Sequence, residues 1–131
     1  MARIVIAEDE EGLRGSVARA LTLDGHAVTA AADGAEALEL IARHAGRFDL
    51  LLADVRMPVM DGIALALATA RDYPQMTILL MTGYADQRER AHGLDALIDD
   101  VISKPFTLSE IRAMVNLALR ADDRGRTTDD G

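Results

Sequence analysis

Apolar residues are not spread evenly along this chain: short unbroken runs alternate with longer stretches in which apolar positions recur every three or four residues. An unbroken run suits a strand covered on both faces, and the longer period suits a helix lying over it. Ile4 to Ala7 reads as a first strand, followed by a helix from about Gly12 to Leu23 with Leu13, Val17, Ala20 and Leu21 on one side and a stop at Asp24-Gly25. Ala27 to Ala31 is a weaker second strand. Asp33 stands where an N-cap belongs, before a helix that turns Ala37, Leu38 and Ile41 inward and closes near Gly46. Phe48 to Ala53 is a third strand, its Leu50-Leu51-Leu52 suited to a central place, and Asp54 ends the run. Beyond Pro58 and Asp61-Gly62, Ile63 to Arg71 predicts a third helix, stopped before Pro74, and Thr77 to Met81 a fourth strand. A polar fourth helix is predicted over about Asp86 to Gly93, then a short strand at Val101-Ile102. Thr107-Leu108-Ser109-Glu110 has the spacing of a capping box, opening a last helix that presents Leu108, Ile111, Val115 and Ala118.

Alternation of this kind is the signature of a parallel sheet wrapped by helices, here a (βα)5 unit. At 131 residues, half of them hydrophobic, the chain is long enough to bury one core without staples. From Asp122 onward nothing apolar remains to bury. One domain over residues 1–121 and a disordered tail over 122–131 are therefore expected.

The formal charge of −8 disfavours a grip on nucleic acid or on an anionic membrane, and favours cations and basic partners. With no cysteine, neither a disulfide framework nor a thiolate nucleophile is available. The first ten residues lack the order of an export signal, and no apolar run approaches the roughly 18 residues of a membrane span. Cytoplasmic residence is the expectation.

Open parallel sheets bind ligands at the carboxyl ends of their strands. Here those ends carry Glu8-Asp9, Asp54, Thr82 and Ser103-Lys104. Adjacent strands would bring three carboxylates, a hydroxyl and an ammonium to one point. Carboxylates held that close repel and bind protons more tightly unless a cation joins them, and an all-oxygen site suits Mg²⁺ (or Mn²⁺) shared with a phosphate. Phosphoryl transfer needs little more than such positioning and charge neutralisation: Asp54 as nucleophile, Lys104 on the phosphoryl oxygens, Thr82 donating a hydrogen bond. Each group also has a bland reading. Glu8-Asp9 would serve as a helix cap, Asp54 as a surface acid, Thr82 as a strand-end hydroxyl and Lys104 as a solvated charge. His26, His44 and His92 share no ligand spacing and are expected on the surface.

Taken together, Glu8-Asp9, Leu51-Leu52-Ala53-Asp54-Val55-Arg56-Met57-Pro58, Met60-Asp61-Gly62, Thr82-Gly83 and Lys104-Pro105-Phe106 resemble the receiver domains of bacterial two-component response regulators. The resemblance covers about residues 2–121. It implies a flavodoxin-like three-layer sandwich with a five-stranded parallel sheet in the order 2-1-3-4-5. It further implies phosphorylation of Asp54 by a histidine kinase or histidine phosphotransfer protein, and a metal held by Glu8, Asp9, Asp54 and the backbone carbonyl of Arg56. Thr82 and Lys104 are expected on the phosphoryl group, and the Lys104–Pro105 peptide is expected to be cis. Such a protein is not an enzyme beyond its own phosphorylation and dephosphorylation, and it meets a downstream protein through the face of the fourth helix, fifth strand and last helix.

Two positions depart from the commonest pattern. Val101 stands where many receivers carry an aromatic residue three before the lysine, which leaves Tyr84 as the nearest substitute for a switch, or as a packing residue. Arg56 and Tyr84 hold the positions that in this family tune dephosphorylation. A haloacid-dehalogenase-like phosphatase is the rival from the enzyme class, but it wants an acid where Arg56 stands and a longer chain. A pseudo-receiver would be expected to have lost Asp54, an acid of the pair or Lys104. With no second domain seen after Ala121, regulation in trans is expected, as in single-domain regulators of the CpdR type, with the receiver piece of a hybrid histidine kinase as the alternative.

Overall fold

A computed structural model describes residues 1–83, 91, 93, 94 and 96–130, with side chains of the final helix as far as Ala121. In chain order the elements are β1 (Arg3–Ala7), α1 (Glu11–Leu23), β2 (Ala27–Ala31), α2 (Gly34–Arg43), β3 (Leu50–Asp54), α3 (Gly62–Asp72), β4 (Thr77–Thr82), β5 (Asp100–Ser103) and α4 (Leu108–Asp130). The strands form one parallel sheet in the order β2-β1-β3-β4-β5, the flavodoxin-like arrangement. The predicted fourth helix falls largely outside the described residues, and Tyr84 and His92 lie outside them.

Side chains alternate across a strand, so each apolar run feeds two cores at once. Ile4, Ile6, Leu50, Leu52, Leu79, Met81 and Ile102 point to the layer of α1 and α4, where they meet Val17, Leu21, Ile111 and Val115. Val5, Ala7, Leu51, Ala53, Ile78, Leu80 and Val101 point to the other layer, with Ala37 and Ile41 of α2 and Leu65 and Ala66 of α3. That two-sided demand is why β3 and β4 tolerate no polar residue until their ends: all of Leu50–Asp54 and Thr77–Thr82 is buried.

Local chemistry sets the helix starts. Asp33 accepts from the Glu36 N–H at 2.8 Å and Asp61 from the Ala64 N–H at 2.8 Å. The capping box forms as its spacing implies: Thr107 Oγ1 accepts from the Glu110 N–H at 3.1 Å, and Glu110 Oε1 from the Thr107 N–H at 2.8 Å. One expectation needs correction. Leu108 is 42% exposed rather than inward, because it sits in the first turn of α4 where the helix has yet to reach α1 fully. The helical backbone of α4 runs on to Asp130, and among the described side chains of this helix the last that packs on the core is Leu119.

Candidate functional site

The alternation that builds the two cores also sets the site. Counting on by twos from Ile4 and Ile6 reaches Glu8, from Leu50 and Leu52 reaches Asp54, and from Ile102 reaches Lys104. All three side chains therefore emerge on the α1–α4 side of the sheet at its carboxyl edge, on strands that are close neighbours. There the Lys104 ammonium donates to Glu8 Oε1 at 3.0 Å and to Asp54 Oδ2 at 2.8 Å. Asp9 is exposed beside them, and one carboxylate oxygen from each of Glu8, Asp9 and Asp54 lies within 4.8 Å of the others. The cleft, of about 440 Å³, is lined by these acids with Glu10, Arg56, Gly83, Lys104 and Pro105.

Glu8 and Asp54 are both buried, and burying two carboxylates costs free energy that one ammonium only partly offsets. Burial pushes the Glu8 carboxyl up from 4.5 to about 7, with the nearby Asp54 charge adding to it, while the Glu10 N–H at 2.9 Å on Oε2 and the Lys104 ammonium pull the other way. For Lys104, burial works against the charge, but hydrogen bonds to Asp54 and then Glu8 outweigh it and raise its pKa. A small, hard dication fits this donor set: the ligands are all oxygen, they converge, and they hold more negative charge than Lys104 balances.

A family model for the response regulator receiver domain matches residues 4–116. The chain belongs to the response regulator receiver family. Receivers are signalling domains of two-component systems rather than enzymes in the usual sense, and they bind Mg²⁺ at an acidic pocket. The chain is 39% identical over 118 residues to the response regulator MprA of Mycobacterium leprae, covering 90% of this chain and 51% of that one. It thus spans about half the length of the curated relatives it matches. The receiver domain of AraT, a response regulator from Geobacillus stearothermophilus, superposes with a TM-score of 0.82 at 31% identity, covering 95% of this chain and 98% of the other. A CheY-like receiver protein from Methanospirillum hungatei does so with a TM-score of 0.84 at 27% identity and the same coverage.

Of the residues singled out from the sequence of this receiver, Glu8, Asp9, Asp54 and Lys104 meet in the cleft. Arg56 lines it, exposed, with its backbone N–H 3.3 Å from Asp54 Oδ1. Thr82 ends β4, buried, and its carbonyl accepts from the Lys104 N–H at 2.7 Å. The Lys104–Pro105 peptide is cis. Val101 is buried in the α2–α3 core. Glu8-Asp9 does not cap α1 with a side chain; Glu10 occupies the N-cap position. His26 and His44 are half-buried rather than surface residues: His26 Nδ1 accepts from the Ala2 N–H at 3.1 Å, and His44 packs edge-on against Phe48. Two neighbours of the site carried no sequence signal. Glu10 occupies one Glu8 oxygen through its backbone, and the guanidinium of Arg14 donates to the Glu8 carbonyl at 3.0 Å.

Proposed function

We propose that this receiver accepts a phosphoryl group on Asp54 from a phosphohistidine of a histidine kinase or phosphotransfer protein in the cytoplasm, and that residues 1–121 form the unit that does so. The observation that carries the reading is the Lys104 ammonium hydrogen-bonded to Asp54 Oδ2 and Glu8 Oε1, with Asp9 at ligand distance from both acids. Glu8, Asp9, Asp54 and the Arg56 carbonyl would hold Mg²⁺ or Mn²⁺, which when bound neutralises the anionic acceptor and phosphoryl group. An Asp54 oxygen attacks phosphorus, the bond from phosphorus to the donor nitrogen breaks, and the imidazole leaves with its electron pair. Lys104 then exchanges a carboxylate partner for a phosphoryl oxygen, and the Thr82 hydroxyl donates to another. Arg56 and Tyr84, at the two positions that tune dephosphorylation in the receiver family, set how fast water later removes the group.

Phosphorylation replaces the single negative charge of the Asp54 carboxylate with a phosphoryl group carrying roughly 1.5 to 2, where Lys104 and Thr82 feel it directly. The backbone bond from Lys104 to Thr82 ties the ends of β4 and β5 into that response. With Val101 offering no ring to turn, Tyr84 is the aromatic that moves. A downstream protein reads the change on the face of β5, α4 and the segment between β4 and β5. In the test, acetyl phosphate with Mg²⁺ adds one phosphoryl group to the wild-type protein, followed by intact mass, and none to Asp54→Asn. Equal labelling of the variant would sink the assignment.

A further inference from the structure

Two of the three carboxylates sit on the turn from β1 to α1, and hydrogen bonds to residue 8 hold that turn. The Glu8 N–H still belongs to the sheet, donating to the Ala31 carbonyl at 3.1 Å. Its carbonyl lies beyond the last β1–β2 pair, Ala7 with Ala31, where the ladder has ended. Arg14 fills the gap from the first turns of α1: its Nη1 donates to the Glu8 carbonyl at 3.0 Å, while its own N–H donates to the Glu10 carbonyl at 2.9 Å. The Glu8 carbonyl oxygen and the Asp9 N and Cα share one peptide plane, so holding the oxygen fixes the direction in which Asp9 leaves the turn. Asp9 needs such help: it is exposed, whereas Glu8 and Asp54 are anchored by burial and by Lys104.

We infer that Arg14 is a positioning residue for the cation site, holding the Glu8–Asp9 peptide plane so that the Asp9 carboxylate stays in range of Glu8 and Asp54. This rests on the metal reading given under Proposed function. It differs in sign from the simplest alternative. A guanidinium near four consecutive acids, Glu8 to Glu11, also opposes a dication by its charge, and on that ground alone its removal would tighten binding. Loss of a positioning group weakens binding, by roughly 10-fold or more for partners of metal ligands.

The experiment titrates Mg²⁺ calorimetrically, and Mn²⁺ by electron paramagnetic resonance, into wild-type protein, Arg14→Met, Arg14→Lys, Asp9→Ala and the Asp9→Ala/Arg14→Met pair, with urea unfolding to check the fold. Arg14→Met is expected to bind either ion about 10-fold more weakly, and Arg14→Lys, which keeps a donor, to recover part of the loss. The pair should bind no more weakly than Asp9→Ala alone, because Arg14 acts through Asp9. Unchanged or tighter binding by Arg14→Met, or additive losses in the pair, overturns the positioning role while leaving the metal site standing. Unchanged binding by Asp9→Ala overturns the metal reading and this role with it.

Discussion

Replacing Glu8 by Gln should change how the stability of the metal-free protein depends on pH. The Glu8 side chain is 1% exposed, and burial raises its carboxyl from 4.5 to about 7 despite hydrogen bonds from Lys104 and the Glu10 N–H. The folded protein thus binds this proton more tightly than the unfolded chain does. The resulting stabilisation is fully present below about pH 4.5 and is lost as pH rises through about 7. At 1.36 kcal/mol per unit the whole loss is about 3 kcal/mol, a sizeable part of the total for a domain of this size. Urea unfolding followed by circular dichroism at pH 5 to 8, in the presence of a chelator, should show the wild type weakening as pH rises and Glu8→Gln weakening less over the same range. Slopes are compared rather than absolute values, because the Gln amide turns a donor toward Lys104 or toward the Glu10 N–H. Every other titrating group is shared, so the difference in slope belongs to Glu8 and to what it touches. Added Mg²⁺ should flatten the wild-type slope by favouring the deprotonated acids. Parallel slopes, or a wild type that gains stability from pH 5 to 8 without metal, would refute the reasoning.

Two further substitutions test the loop that follows the acceptor strand. Val59 is 85% exposed with φ at 68°, a left-handed conformation that a β-branched residue adopts only under strain. Val59→Asn should stabilise the fold by about 1 kcal/mol and raise Tm by a few degrees in a calorimetric scan, with Mg²⁺ affinity unchanged; a lower Tm contradicts this. Gly62 packs so closely under β3 that a Cβ would run into the Asp54 carbonyl and come within 2.9 Å of the Val55 Cα. Gly62→Ala should cost about 2 kcal/mol or more in urea and slow labelling by acetyl phosphate, since relief requires the acceptor backbone to shift; full stability with full labelling would show that the loop yields without touching Asp54.

What could be read from the sequence depended on how local the cause was. All five strands were legible because two-sided burial demands apolar runs that no helix needs, and Thr107 with Glu110 announced α4 because a capping box is complete within four residues. Leu108 misled because periodicity names a face but not how far the neighbouring element extends over it. The meeting of Glu8, Asp9, Asp54 and Lys104 followed from strand ends at one edge of a sheet. The choice of partners did not, since Lys104 reaches Glu8 and Asp54 through the alternation of side chains while Asp9 stands outside that alternation. Arg14 left no trace, because an arginine on the first turns of a helix looks like any solvated charge until the carbonyl it faces is known. His26 was misplaced for the same reason: its partners Ala2 and Asn116 come from distant parts of the chain.

The alternation along β3 makes this site sensitive to frame more than to similarity. Leu50 to Ala53 carry apolar groups to both faces, so the strand would keep nearly all its hydrophobic character after losing a single residue. The same loss would reverse the facing of every position beyond it, and the carboxylate of Asp54 would emerge among α2 and α3 with the sheet between it and Lys104. Variation in the acceptor strand is therefore open to exchange of one aliphatic residue for another and closed to odd insertions and deletions. The turn from α2 to β3, where Ala45 and Gly46 take positive φ, lies at the opposite edge of the sheet and leads into that frame rather than out of it.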